Sequence, residues 1–174
     1  WKSDSTVTLE YLDDGLYTFY VKSRFNNDVI EDIPVSISFE VNANPQNSVS
    51  IYPLRRQVSS DDIFEVYVFV ESMTTLSVAD IHFQYDSNKI QFNGSTSACQ
   101  IGGAEVIEIN RVNVYYCDLD GTYDGTNSLF NMQFQKVGVG NTDIVILESS
   151  IFRDSDGIDI PIAKWGSTFI EAGP

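Results

Sequence analysis

"SVADIHFQYDSNKIQF", residues 77–92, decides how the rest of this chain is read. Ile81, Phe83 and Tyr85 fall on one parity, and Asp80, His82 and Gln84 on the other. A strand sends successive side chains to opposite faces, so the first set is expected inside and the second outside. A short polar turn, "DSN", then leads into the next apolar pair. His82 is the only histidine of the chain, and it sits among polar neighbours on the face expected to be open.

The same alternation continues in both directions. Helical periodicity is absent, while Val, Ile, Tyr, Phe and Thr alternate with polar residues between Gly, Asn and Asp turns. Upstream, "STVTLEYL" (5–12), "LYTFYVKSRF" (16–25) and "PVSISFEVNA" (34–43) predict three strands, and "NPQNS" (44–48) reads as a linker. About nine further strand-like runs follow from residue 49 at the short spacing of a sandwich. The expected fold is all-β: an antiparallel jelly-roll-type β-sandwich over 49–174, preceded by a three-stranded β segment over 1–43. That first segment is too short for a core of its own and needs a packing partner.

Composition narrows the function. The 174 residues include 10 Lys and Arg against 25 Asp and Glu, a net charge of −15. Such a surface repels phosphate backbones and anionic lipid, which argues against nucleic-acid and membrane-surface roles. No apolar run approaches the ~20 residues of a membrane helix. The chain opens at Trp1 in what reads as the middle of a module, so a fragment of a longer protein is expected. Cys99 and Cys117 lack CxxC spacing and have one histidine to assist them, which disfavours zinc. If "NR" (110–111) closes a hairpin, residue 109 faces 112 and residue 104 faces 117. The Gly102–Gly103 pair could then fold Cys99 back on Cys117 as a disulfide, the alternative being two buried thiols.

Two resemblances add to this reading. "LDDGLYTFYV" (12–21) followed by "SFEV" (38–41) resembles the second half of a bacterial immunoglobulin-like or fibronectin-type module. Residues 49–172 resemble the cohesin domain. That likeness rests on "VSIYPLRRQVSSDDIFEVYVFVES", where Ser60 and Asp61 replace the usual glycine, and on "SVADIHFQYDSNKIQF". It rests also on "SLFNMQFQKVGVGNTDIVILESSIFRDSDGIDIPIAKWGSTFIEA", with its turn at Gly138 and Gly140. It implies a non-catalytic module of a secreted or cell-surface scaffold, binding a dockerin-bearing partner with no cofactor of its own.

In that family the partner-binding face is built by the eighth, third, sixth and fifth strands. Parity then nominates Asp80, His82 and Gln84 on the third strand, Asn113 and Tyr115 on the sixth, Val106 and Glu108 on the fifth, and Val145 and Leu147 on the eighth. Exposed apolar residues beside a polar row suit protein binding. Cover by the N-terminal strands is the other reading of Val145 and Leu147. His82 has no nucleophile or orienting carboxylate assigned by any motif, which weighs against catalysis. "DLDG" (118–121) and "DSDG" (154–157) echo calcium loops through Asp118, Asp120, Asp154 and Asp156, although Asp-Gly turn chemistry explains them equally. The alternative function is a carbohydrate-binding or adhesin module holding polysaccharide on Tyr115, Tyr123 and Trp165.

Overall fold

The alternating run "IFEVYVFVESMTTLSVADIHFQ" forms one strand of 22 residues, Ile63–Gln84, where two had been expected. The same happens at Val112–Lys136, which joins the expected sixth and seventh strands into 25 residues. The structure is a computed structural model that describes residues 8–9, 12–13, 15–24, 30–59, 62–95, 102–109 and 112–172; for 102–109, 112–121 and 172 it describes backbone pairing alone. The chain divides into two compact units, residues 1–43 and 44–174.

In the first unit, β1 (Gly15–Val21) pairs antiparallel with β2 (Val35–Val41). The expected strand at 5–12 lies largely outside the described residues. Register puts Tyr17, Phe19 and Val21 beside Phe39, Ile37 and Val35 on one face, with Tyr17 stacked on Phe39 at 5.8 Å. Tyr17, Phe19 and Phe39 are half-buried, while Val35 at 68% and Ile37 at 64% stay exposed.

Ten strands are described in the second unit. They are β3 (Ser48–Tyr52), β4 (Arg55–Val58), β5 (Ile63–Gln84), β6 (Ile90–Gly94), β7 (Gly102–Ile109), β8 (Val112–Lys136), β9 (Thr142–Ile146), β10 (Ile151–Arg153), β11 (Lys164–Trp165) and β12 (Ser167–Ala172). β5 and β8 pair antiparallel over nearly their whole length and pass through both layers of the sandwich. The first half of β5, with β3 on one side and the end of β8 and β6 on the other, makes one layer. Residues 78–84, with β9 and β10 on one side and the start of β8 and β7 on the other, make the second. β9 continues through β12 to β4.

The bend between layers falls in "ESMTTLS". Three register shifts crowd between Val70 and Val78, and Ser72 and Thr75 take left-handed φ values of 47° and 52°. Such backbone costs about 1–3 kcal/mol per non-glycine residue. Side chains offset it by capping the freed amides. Ser72 N–H donates to Thr126 Oγ1 (2.8 Å), Thr75 N–H to Asp124 Oδ1 (2.7 Å) and Thr74 N–H to Asn47 Oδ1 (3.2 Å).

Between the layers, Val66, Val68, Val70, Ile81, Phe83, Met132, Phe134 and Ile144 are fully buried. Phe134 sits 5.9 Å from Phe64 and 5.4 Å from Phe92, and Phe92 5.8 Å from Phe83. At about 1.5–3 kcal/mol for each large apolar side chain, this core is the main source of stability. The expected alternation of Ile81, Phe83 and Tyr85 toward it holds.

Packing is tight where β12 begins. A Cβ on Gly166 would lie 2.6 Å from both Ser50 Cα and the Val49 carbonyl oxygen. Those are backbone atoms of a paired strand and have nowhere to move. Gly166→Ala is expected to cost about 1–3 kcal/mol, as overpacking does, read as a lower urea midpoint at unchanged slope. A peptide of residues 1–43 is expected to melt without a cooperative transition, because one exposed apolar sheet face cannot offset its ordering entropy. A sharp monomeric transition in calorimetry would refute that.

Candidate functional site

The outer face of the second layer is organised by rows that run across its strands. Directly paired residues of an antiparallel ladder share a face. One row reads Ser167, Val145, Gln84, Val112 and Ile109. The next pairs His82 with Val114 and Val114 with Ile107, and the third links Ile151, Asp80, Tyr116 and Glu105. The strand order expected from the resemblance, eighth to third to sixth to fifth, is therefore present as β9, β5, β8 and β7.

Residues on β5 and β9 lie as parity predicted. Gln84 is exposed, Asp80 and His82 are half-buried, and Val145 is exposed between buried Ile144 and Ile146. Leu147 is half-buried. On β8 and β7 the ladder runs one residue out of step with the sequence expectation. Asn113 and Tyr115 pair with the buried Phe83 and Ile81, and Val106 and Glu108 pair in turn with Tyr115 and Asn113. It is Val112, Val114 and Tyr116 that pair with Gln84, His82 and Asp80. Hydrophobicity misdirects here: "VNVYY" puts its valines on one parity, yet the register with β5 pairs that parity with Gln84, His82 and Asp80.

His82 is held more firmly than an open row would suggest. The turn from β9 to β10 folds over its backbone: Leu147 N–H donates to the His82 carbonyl (2.8 Å), and His82 N–H donates to Ser150 Oγ (2.9 Å). Ser150 is buried, and its hydroxyl donates on to the Leu147 carbonyl (2.7 Å). The imidazole Nδ1 lies 3.0 Å from Ser149 Oγ, and Nε2 lies 3.5 Å from Asp80 Oδ1. Asp80 Oδ1 is itself buried and has no hydrogen bond. Ser149 and Ser150 escaped the sequence reading. Their only signal is a polar pair, "SS", at the close of a short connection.

The other nominated residues do not converge. Trp165 packs on Phe152 with ring centroids 6.0 Å apart, and Tyr123 lies against the core; the side chain of Tyr115 is outside the described residues. Asp154 Oδ1 accepts from the amides of Asp156 and Ile158, both at 2.9 Å, which is turn chemistry. Asp118 and Asp120 lie within β8 and not in a loop; their side chains are outside the described residues. No cluster of three or more metal-ligating side chains occurs among the described residues. Ile109 pairs with Val112 and Ala104 with Cys117, as a hairpin at 110–111 requires. Cys99 and the side chain of Cys117 are outside the described residues, and the expected disulfide with them.

No family profile and no curated protein sequence matches this chain. Solved structures do. A cohesin module from a Clostridium perfringens family 33 glycoside hydrolase superposes with a TM-score of 0.62 at 13% identity, covering 72% of this chain and 96% of its own. The sixth cohesin of Acetivibrio cellulolyticus scaffoldin B, solved in complex with a dockerin, gives 0.61 at 14% identity over 74% and 100%. A non-cellulosomal cohesin from the archaeon Archaeoglobus fulgidus gives 0.56 at 16% identity over 73% and 92%. The fold is cohesin-like. At these identities the likeness concerns architecture, and the cohesin-like unit owes its surface chemistry to its own residues.

The turn over His82 makes a stability prediction. Ser150→Ala removes a buried hydroxyl that serves both His82 N–H and the Leu147 carbonyl. A loss of about 1–3 kcal/mol is expected by chemical denaturation, with faster amide exchange at His82. Unchanged exchange there would show that the turn is held by other means.

Proposed function

We propose that this chain is a non-catalytic protein-binding module and that it holds a dockerin-bearing partner on the outer face of the β9–β5–β8–β7 layer. The observation that carries the reading is the row Asp80, His82 and Gln84, fixed at the centre of that face beside exposed Val145. Preformed polar groups bordered by apolar positions suit a protein interface, since little freedom is lost on docking. Similar folds solved in complex with dockerins support the choice of partner. Calcium in such a complex would be needed by the partner's loops, and not necessarily by this chain. A secreted or cell-surface scaffold is the setting in which such a module works. Residues 1–43, with their open apolar face, read as part of an immunoglobulin-like or fibronectin-type module next to it.

The experiment is calorimetric titration of the whole chain with dockerins encoded in the same genome, with thermal melts as the folding control. Asp80→Ala is expected to weaken the complex by more than about 1–2 kcal/mol with the fold intact, as central contacts do. The ladder further predicts that Tyr116→Ala weakens binding more than Tyr115→Ala. The reverse order would mean that the face follows sequence parity and not the ladder. Absence of binding by every dockerin tested would overturn the partner.

A further inference from the structure

The opposite layer has an outer face of different chemistry. Along β5 its outward residues are Ile63, Glu65, Tyr67 and Phe69, alternating with the buried Phe64, Val66, Val68 and Val70. The ladder sets Tyr52 beside Tyr67, Gln133 beside Glu65 and Gln135 beside Ile63. Tyr67 is 41% exposed, and Tyr52 and Phe69 are half-buried. These rings are fixed in place. The Tyr67 hydroxyl donates to Glu65 Oε2 at 3.1 Å, Asn44 Nδ2 donates to the Tyr52 hydroxyl at 2.9 Å, and Phe69 stands edge-on to Tyr52 with centroids 5.3 Å apart. The hydrogen bond to Glu65, and then its charge, hold the Tyr67 phenol above its ordinary range, so it stays protonated. The carboxamides of Gln133 and Gln135 enter no described hydrogen bond.

We propose that this aromatic and carboxamide face is a binding site for a neutral polysaccharide chain. A sugar ring offers an apolar C–H face and a rim of hydroxyls. The first is complementary to the ring of Tyr67, which its hydrogen bond to Glu65 holds toward the neighbouring residue on its own strand. The second is complementary to planar carboxamides, which accept and donate at once. Tethered rings lose little freedom when a ligand settles on them. Charge selects among polymers: Glu65 and Arg56 both act on the Tyr67 phenol with opposite sign, so the face carries little local charge, and the net charge of −15 repels anionic chains. The site shares no residue with the Asp80 face and does not depend on what that face binds.

The test is affinity electrophoresis of the whole chain in native gels cast with hydroxyethylcellulose, galactomannan or alginate. Retardation is expected in at least one neutral polymer and not in alginate. Tyr67→Ala and Gln133→Ala should each weaken that retention by about tenfold, a typical loss for a central contact. Asp80→Ala should leave it unchanged, and melts of each variant report folding. Free migration in both neutral polymers would overturn the proposal, as would retardation that ignores both substitutions or is equally strong in alginate. Self-association lost in Tyr67→Ala, seen by sedimentation, would make the face a contact between copies and overturn it as well.

Discussion

The antiparallel ladder between β5 and β8 is the constraint on which the cohesin-like unit depends. Two strands of 22 and 25 residues pair through both layers, so the sheets are joined by continuous chain and not by loops. Their shared bend needs left-handed backbone at Ser72 and Thr75, and it frees amides that hydrogen-bonding in a regular ladder would have satisfied. Thr126, Asp124 and Asn47 take up those amides. A sequence of ordinary strand residues is thus folded over itself by a few polar side chains from neighbouring segments. The apolar parity on each side of the bend then faces the same core.

That ladder also fixes the two outer faces. On one, Asp80, His82 and Gln84 sit in register across from Tyr116, Val114 and Val112, and the turn at residues 147–150 clamps the central histidine. On the other, tyrosines and glutamines lie over the first half of β5. Both faces belong to a strongly acidic chain, so long-range electrostatics favour neutral or basic partners on either side. The difference is local: a histidine–carboxylate row beside apolar register positions on one sheet, and aromatic rings beside the carboxamides of Gln133 and Gln135 on the other.

The unit formed by β1 and β2 shows the same physics without its completion. Alternation gives it one apolar face, and among the described residues two strands pair there, with Val35 and Ile37 exposed.

Alternation within each strand was legible in the sequence because it depends only on the geometry of extended chain. Ile81, Phe83 and Tyr85 turned inward as their spacing required, as did Ile144 and Ile146, whereas the order of strands in the sheet came from the family resemblance. What tertiary structure decided was everything that lies between strands. The merger of four expected strands into two could not be read from "SMTTL" or "DLDGTYDG", since turn-forming residues there are absorbed as bulges by partners far away in sequence. The phase of "VNVYY" depended on β5, because the register pairs its valines with Gln84 and His82 against the parity that Asn113 suggests. Ser149 and Ser150 reached His82 only through the fold, from 67 and 68 residues away. Local pattern specifies which side of a strand is dry; pairing alone specifies which residues meet there.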